Sequence, residues 1–103
     1  MVYIFNFLKN YRGRIAWLIG DLSLSKLCIF IDGYEFALFE LHGVKPGFNV
    51  KFLRFIETHE GLTPNVGTRW PDILLKNRSK EEALELFYSY LQKFEQSVAQ
   101  GTE

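Results

Sequence analysis

The stretch from residue 22 to residue 42, LSLSKLCIFIDGYEFALFELH, constrains the fold more than any other part of the chain. Apolar side chains recur in it at steps of three and four residues, which is the spacing of one side of an α-helix. Asp21 or Ser23 can accept hydrogen bonds from the first amides of that helix. Phe36 and Phe39 lie outside the main stripe, so the helix is apolar around most of its circumference. Such a helix is typical of a central position with neighbours on several sides.

A glycine interrupts the apolar pattern in the middle of this predicted helix. Gly33 costs the helix about 1 kcal/mol relative to alanine, because glycine loses more backbone freedom on folding. We therefore expect the missing side chain of Gly33 to admit the backbone of another segment.

The composition indicates one domain with a modest core. The chain has 103 residues, of which 48% are hydrophobic and 17% are aromatic. That aromatic content can fill a core and still leave an apolar or aromatic binding face exposed. Twelve basic and twelve acidic residues cancel, which argues against a dedicated nucleic-acid binder. A single cysteine cannot form an internal disulfide, which is typical of a reducing compartment.

The rest of the chain predicts further helices separated by short connections. Residues 2–11 and 48–59 have helical spacing, although residues 2–5 could instead form a short strand. Residues 12–20 are predicted to be a buried connector that holds Trp17 in the core, and Trp70 is also predicted to lie in the core. The sequence then predicts a loop at residues 61–67, one or two helical turns at 71–76, and a long helix that begins with the S-x-x-E capping box of Ser79.

These segments together predict an all-α fold. We expect residues 1–103 to form a single compact domain of four to five helices around the central helix at about residues 22–42. The last five residues have nothing to bury and are expected to fray. No run of apolar residues is long enough to span a bilayer, and no secretory signal is recognisable, so a soluble cytoplasmic protein is expected.

No pattern of catalytic or metal-binding residues is visible. His42 and His59 lack the further ligands that a metal site needs. Cys28 lies on the apolar side of the predicted central helix and has no neighbouring base that would activate it. The glycines do not form a phosphate-binding loop. We therefore expect no enzymatic activity, no metal and no cofactor.

Charge is segregated along the chain. Residues 21–44 hold four acidic side chains and Lys26, whereas residues 1–20 hold three basic side chains and no acidic one. On the central helix, a predicted partner-binding site combines two carboxylates with two rings within about 100° of one another. Its residues are Asp32, Glu35, Phe36 and Phe39. The alternative is that the two phenylalanines pack under neighbouring helices and the carboxylates are merely solvated.

Several short motifs resemble those of a group of small bacterial proteins. Gly20, Ser23-Leu24, Leu27, Phe30 and Asp32-Gly33-Tyr34 resemble the group's "IG…SL..L..F.DGY" run. Arg14 and Ile19-Gly20 fit the segment that precedes this run, while residues 15–18 depart from it. Later landmarks are Pro46-Gly47-Phe48, Trp70 with Ile73-Leu74, and Ser79 with Glu82-Ala83 and Leu86-Phe87. The resemblance covers about residues 14–94 and is to immunity proteins of polymorphic-toxin and contact-dependent growth-inhibition systems.

This resemblance implies a cytosolic protein that binds and neutralises a cognate toxin domain. Toxins of these systems are commonly nucleases, so the expected partner is a nuclease domain with a basic surface. Neither direct nucleic-acid binding nor membrane binding is expected. Two alternatives stay open: a homodimeric helical adaptor without catalytic activity, and a protein that binds a small apolar ligand between helices.

Overall fold

Regular secondary structure in the described residues is entirely α-helical. The computed structural model describes residues 1–65 and 67–101 of the chain. The six helices are α1 Val2–Asn10, α2 Ile15–Ile19, α3 Leu24–His42, α4 Phe48–Glu60, α5 Trp70–Leu75 and α6 Lys80–Ala99. The prediction of an all-α fold is confirmed, including a helix rather than a strand at residues 2–5. The additional helix, α2, lies in the segment that was expected to be a connector.

The chain divides into two compact units, Met1–Asn49 and Val50–Glu103. The first unit contains α1, α2, α3 and the first two residues of α4. The second contains the rest of α4 together with α5 and α6. The expectation of a single domain stays a prediction.

The core of the first unit is formed by one side of each of its helices. Phe5 of α1 meets Phe48, the first residue of α4, edge to face with ring centroids 6.0 Å apart. Of the two candidate N-caps of α3, Asp21 and Ser23, the cap is Ser23, whose side chain accepts a hydrogen bond from the backbone N–H of Lys26. The buried apolar side chains of this unit are Ile4, Phe5, Leu8, Ile15, Leu24, Leu27, Cys28, Ile31 and Phe48.

Helix α3 buries only one side, which differs from the expectation of neighbours on several sides. Leu41, placed on the predicted apolar stripe, is 76% exposed. The expectation that Gly33 admits the backbone of another segment is also wrong for the described part of the chain. Apart from the adjacent backbone of α3, no described heavy atom lies within 4 Å of the position that a Cβ of Gly33 would occupy. The four apolar residues buried on α3 are Leu24, Leu27, Cys28 and Ile31.

Trp17 is 76% exposed, so its predicted place in the core is wrong. The physical reason is the short helix α2, whose single buried residue is Ile15. Two residues along an α-helix correspond to a rotation of about 200°, so burying Ile15 directs Trp17 away from the core. An apolar run between two glycines does not reveal this rotation.

The core of the second unit is an aromatic cluster around Phe52. The ring of Phe52 lies 5.3 Å from that of Trp70, 5.6 Å from that of Phe87 and 5.5 Å from that of Phe94. Trp70 is buried, as predicted. The predicted capping box is present at the start of α6, because the side chain of Ser79 accepts from the backbone N–H of Glu82 and the Glu82 side chain accepts from that of Ser79.

A buried carboxylate fixes the loop that follows α4. Glu57 accepts hydrogen bonds from Arg54 Nη1 at 2.9 Å and from the backbone N–H of Asn65 at 3.1 Å. Val66 lies outside the described residues of the predicted loop at 61–67, and residues 102 and 103 of the predicted frayed end also lie outside them. Within the described part of the chain, no helix combines the length and apolar character that crossing a membrane requires.

Candidate protein-binding surface

The outward side of α3 carries an apolar surface flanked by acidic side chains. Ile29 is 65% exposed, Phe36 is 62% exposed and Phe39 is 48% exposed. Because an α-helix turns about 100° per residue, these side chains share one side of the helix with exposed polar and glycine positions. We call this surface the α3 face and define it by Ile29, Asp32, Gly33, Phe36, Phe39 and Glu40.

Three of the four predicted site residues lie together on the α3 face. Asp32, Phe36 and Phe39 are all exposed, and the alternative in which the two rings pack under neighbouring helices does not hold. Asp32 Oδ1 accepts a hydrogen bond of 2.7 Å from Asn49 Nδ2, which also donates to the backbone carbonyl of Cys28 at 2.9 Å. The side chain of Asp32 is therefore held in place while it stays accessible to solvent.

Glu35 is not part of this surface, and its predicted exposure is wrong. Only 6% of Glu35 is exposed. Its Oε1 accepts from the backbone N–H of Phe48 at 3.1 Å and from that of Gly47 at 3.4 Å. These amides lie at the start of α4, where backbone donors have no partner within the helix and a negative charge is favoured. Glu35 thus joins α3 to the N-terminus of α4 within the first unit.

The position of Glu35 in the helical repeat of α3 indicates that its side chain is buried. Counting back from Glu35 by four, seven and eleven residues gives Ile31, Cys28 and Leu24, which are all buried. These intervals define one side of a helix. The carboxylate therefore belongs to the buried stripe, although its charge suggested the opposite side.

The pKa of Glu35 is raised above its usual value by burial of the carboxylate. The hydrogen bonds from Gly47 and Phe48 act in the opposite direction, and the nearby charge of Asp32 adds to the increase. A carboxyl group with a raised pKa in the folded protein binds more protons there than in the unfolded chain. The free energy of unfolding therefore falls as the pH rises from the usual carboxyl pKa through the folded-state pKa.

We expect Glu35→Ala to lower the free energy of unfolding by about 1 to 3 kcal/mol, because the buried N–H of Phe48 loses its acceptor. Glu35→Gln keeps an acceptor oxygen and cannot ionise. Its free energy of unfolding should therefore lack the decrease above the usual carboxyl pKa that the wild-type protein shows. Urea denaturation at a series of pH values measures both effects.

The matched control for these variants is Glu40→Gln, which removes one carboxylate from the exposed side of the same helix. It should leave the free energy of unfolding nearly unchanged. If Glu35→Ala were as stable as Glu40→Gln, the proposed role of Glu35 at the start of α4 would be wrong.

An aromatic row extends the surface of the first unit beyond α3. Trp17 stacks on Tyr11 with ring centroids 6.2 Å apart, and Tyr11 lies 4.9 Å from Phe7. Phe7 in turn stacks on Tyr34 at 4.4 Å and on Phe30 at 5.5 Å. None of these five rings is fully buried. The row therefore links α2 and α1 to the side of α3 that carries Phe30 and Tyr34.

The end of the aromatic row is basic. The guanidinium of Arg14 lies over the ring of Tyr11, 5.0 Å from its centroid, and Arg14 Nη2 donates to the backbone carbonyl of Asn10 at 2.8 Å. Arg12 and Arg14 are both exposed. The sequence did not single out this surface, because Trp17 was expected to be buried.

The second unit contains an open groove of about 540 Å³ next to α5. Its lining mixes two carboxylates, two cations and few apolar side chains, which does not match a pocket for an apolar ligand. Arg78 Nη1 donates to the backbone carbonyl of Leu74 at 3.2 Å, and Glu60 accepts from the hydroxyl of Tyr90. Burial and the bond to Glu60 raise the pKa of Tyr90 to about 12. The lining residues are Glu60, Leu62, Thr68, Asp72, Ile73, Lys76, Asn77 and Arg78.

Two of the groups considered for catalysis or metal binding, His59 and Cys28, have structural surroundings. His59 is exposed, and its Nδ1 lies 3.1 Å from the backbone carbonyl of Phe55, which it can bond in one tautomer. Cys28 is a buried thiol in the core of the first unit. Among residues 1–65 and 67–101, no group of three or more His, Cys, Asp and Glu side chains could hold a metal ion.

The strongest candidate site is therefore the exposed surface of the first unit, formed by the α3 face and the aromatic row. It presents aromatic rings and side chains of both charges, which are the components of protein interfaces. Comparison with known proteins gave no matching family model, no similar curated protein and no similar solved structure.

Proposed function

We propose that this chain is an immunity protein that binds and neutralises a cognate bacterial toxin domain in the cytosol, and that it acts by binding rather than by catalysis. The observation that carries the proposal is the α3 face. Ile29, Phe36 and Phe39 expose large apolar areas along one side of a single helix. Exposed apolar groups that cluster in this way are typical of protein-binding sites, whereas single exposed apolar residues are common on any surface.

The distribution of exposed apolar residues supports a binding surface on the first unit. Among residues 1–65 and 67–101, nine large apolar side chains are exposed, and seven of them belong to residues 1–49. They are Val2, Tyr3, Trp17, Ile29, Phe36, Phe39 and Leu41. The two in the second unit, Val50 and Leu62, provide natural controls for mutation.

The charge of the α3 face favours a basic partner. Asp32 and Glu40 flank the exposed rings and carry the negative charge of this surface. Carboxylates around an apolar centre complement a surface of Lys and Arg, and they accelerate association with it. The resemblance to immunity proteins supplies the class of partner, a toxin domain that is expected to be a nuclease.

The experiment uses the C-terminal domain of the protein encoded immediately upstream. We expect it to bind this chain in a 1:1 complex, and co-expression of the chain should protect cells from that domain. Replacing Phe36 and Phe39 together with alanine should raise the Kd at least about 30-fold, which corresponds to about 2 kcal/mol. Isothermal titration calorimetry measures the affinity, and a growth assay measures the protection.

The matched control is the double variant Val50→Ala with Leu62→Ala, which removes exposed apolar groups from the second unit. It should bind the toxin domain with wild-type affinity. A further variant, Asp32→Lys, should slow association more than it speeds dissociation, because steering by charge acts before contact. Wild-type affinity of a folded Phe36→Ala/Phe39→Ala protein would contradict the proposal.

A further inference from the structure

The aromatic row and the α3 face form one continuous surface of the first unit. Phe30 and Tyr34 of the row follow Ile29 and Gly33 of the α3 face directly in sequence, so each pair is separated by about 100° around α3. Both members of each pair lie at or near the surface. The surface therefore runs from Trp17 across the rings to the outward side of α3.

This surface carries opposite charges on its two sides. Arg12 and Arg14 lie near Tyr11 and Trp17 at one side, in a segment of 20 residues that contains no Asp or Glu. Asp32 and Glu40 lie on α3. A surface with an apolar middle and opposite charges at its two sides complements itself when a copy is rotated by 180°.

The middle of the surface can be approached closely by a helix. Gly33 and Ala37 are four residues apart on the exposed side of α3, so they lie one above the other. Apart from the adjacent backbone of α3 itself, no atom of the described residues lies within 4 Å of a Cβ built at Gly33. A glycine in the middle of a helix reduces stability, and no close contact with another described segment accounts for it here. A backbone from outside the chain would make use of the space at Gly33.

We infer that two copies of this chain associate through this surface, with a twofold axis near Gly33. The α3 helices cross at Gly33 and Ala37, and Phe36 of each copy packs against the aromatic rings of the other. Arg12 and Arg14 of each copy then face Asp32 and Glu40 of the other, so the same pair of opposite charges meets twice. A second copy is the occupant favoured by the surface, because both of its charged sides find their complement on the same chain.

The self-association goes beyond the proposed function and does not depend on a toxin. It covers the α3 face, so a toxin domain and a second copy compete for Phe36 and Phe39. We expect the toxin domain to convert the dimer into 1:1 complexes. A chain that dimerises but binds no toxin would contradict only the proposed function, and a monomer that binds toxin would contradict only the dimer.

Sedimentation equilibrium over a range of protein concentrations tests the dimer. The wild-type chain should reach twice its monomer mass of 12.1 kDa at high concentration. Gly33→Leu should raise the dimer Kd at least about tenfold, because the added side chain separates the crossing helices, whereas its Cβ meets no other described segment of its own chain. Circular dichroism melting curves show whether each variant is folded.

Charge reversal gives the sharpest test. The variant with Arg12→Glu and Arg14→Glu and the variant with Asp32→Lys and Glu40→Lys should each be monomeric when alone, because like charges then face one another. An equimolar mixture of the two should recover a dimer, since opposite charges face one another again in the mixed pair. Recovery in the mixture cannot result from a general loss of stability.

The control is the variant with Glu81→Lys and Glu85→Lys, which changes the charge of α6 by the same amount and should dimerise like the wild-type chain. A wild-type chain that stays monomeric up to about 1 mM would overturn the inference, since a Kd of 1 mM corresponds to only about 4 kcal/mol of binding. Dimers that survive both charge reversals would also overturn it. Tight binding of a single-stranded oligonucleotide by a monomer, detected by quenching of Trp17 fluorescence, would assign the aromatic row to nucleic acid instead.

Discussion

Replacing Phe52 with alanine is expected to lower the free energy of unfolding by about 3 to 5 kcal/mol. Phe52 is fully buried, and its ring contacts those of Trp70, Phe87 and Phe94 in the second unit. Alanine would remove the edge-to-face and tilted contacts with all three rings and leave a cavity. Trp70 is anchored on α5, and Phe87 and Phe94 are anchored on α6, so the three rings cannot all move to close that cavity. Denaturation in urea, followed by circular dichroism, measures the change.

Phe52→Leu serves as the control because it keeps most of the apolar volume. It should lower the free energy of unfolding less than Phe52→Ala does, because the leucine side chain fills part of the cavity. Val50→Ala, two residues away on the exposed side of α4, should change the free energy of unfolding by less than about 0.5 kcal/mol. If Phe52→Ala lowered the free energy of unfolding by less than about 1 kcal/mol, this aromatic cluster would not be a packed core.

The helices with a clear periodic pattern could be predicted from the sequence. Phe48, Phe52, Phe55 and Ile56 share one side of α4 and are all buried, and the same holds for Phe87, Leu91 and Phe94 of α6. In these segments most apolar residues share one side and most polar residues share the other, so burying the apolar side suits most of the helix at once. The capping box adds a local signal that fixes the start of α6.

The pattern was ambiguous where apolar residues surround the helix. On α3, periodicity identified the buried stripe but could not show that the opposite side remains exposed, because Phe36 and Phe39 would also fit a helix covered on all sides. Only the positions of the neighbouring helices decide between these cases. The same limitation explains why Trp17 was wrongly predicted to be buried. Its exposure follows from the orientation of the short helix α2.

The candidate site was predicted in part for the same reason. Asp32, Phe36 and Phe39 lie on the α3 face as the helical wheel places them. Glu35 has a charge typical of the surface, yet its position belongs to the stripe of Leu24, Cys28 and Ile31. Its partners, the amides of Gly47 and Phe48, are twelve and thirteen residues away in sequence. A hydrogen bond at that separation depends on tertiary structure, and local spacing does not predict it.

The two sides of α3 should respond very differently to the same type of mutation. Leu27 and Ile31 are fully buried in the first unit. We expect Leu27→Ala or Ile31→Ala to lower the free energy of unfolding by about 2 to 5 kcal/mol, because each leaves a cavity that the surrounding side chains fill only in part. Urea denaturation at a protein concentration low enough to keep the chain monomeric measures the change without a contribution from self-association.

Ile29→Ala is the matched control for Ile31→Ala, since the same side chain is shortened two residues away on the same helix. Ile29 is 65% exposed, so its replacement should change the free energy of unfolding by less than about 0.5 kcal/mol. Alanine also favours the helix slightly more than isoleucine does, which opposes any small loss of contacts. Equal losses for Ile29→Ala and Ile31→Ala would mean that the α3 face is packed within the chain, and the surface assigned to a partner would not exist. A large difference between them would leave Ile29, Phe36 and Phe39 as apolar side chains that do not contribute to stability, which is the property expected of residues that serve binding.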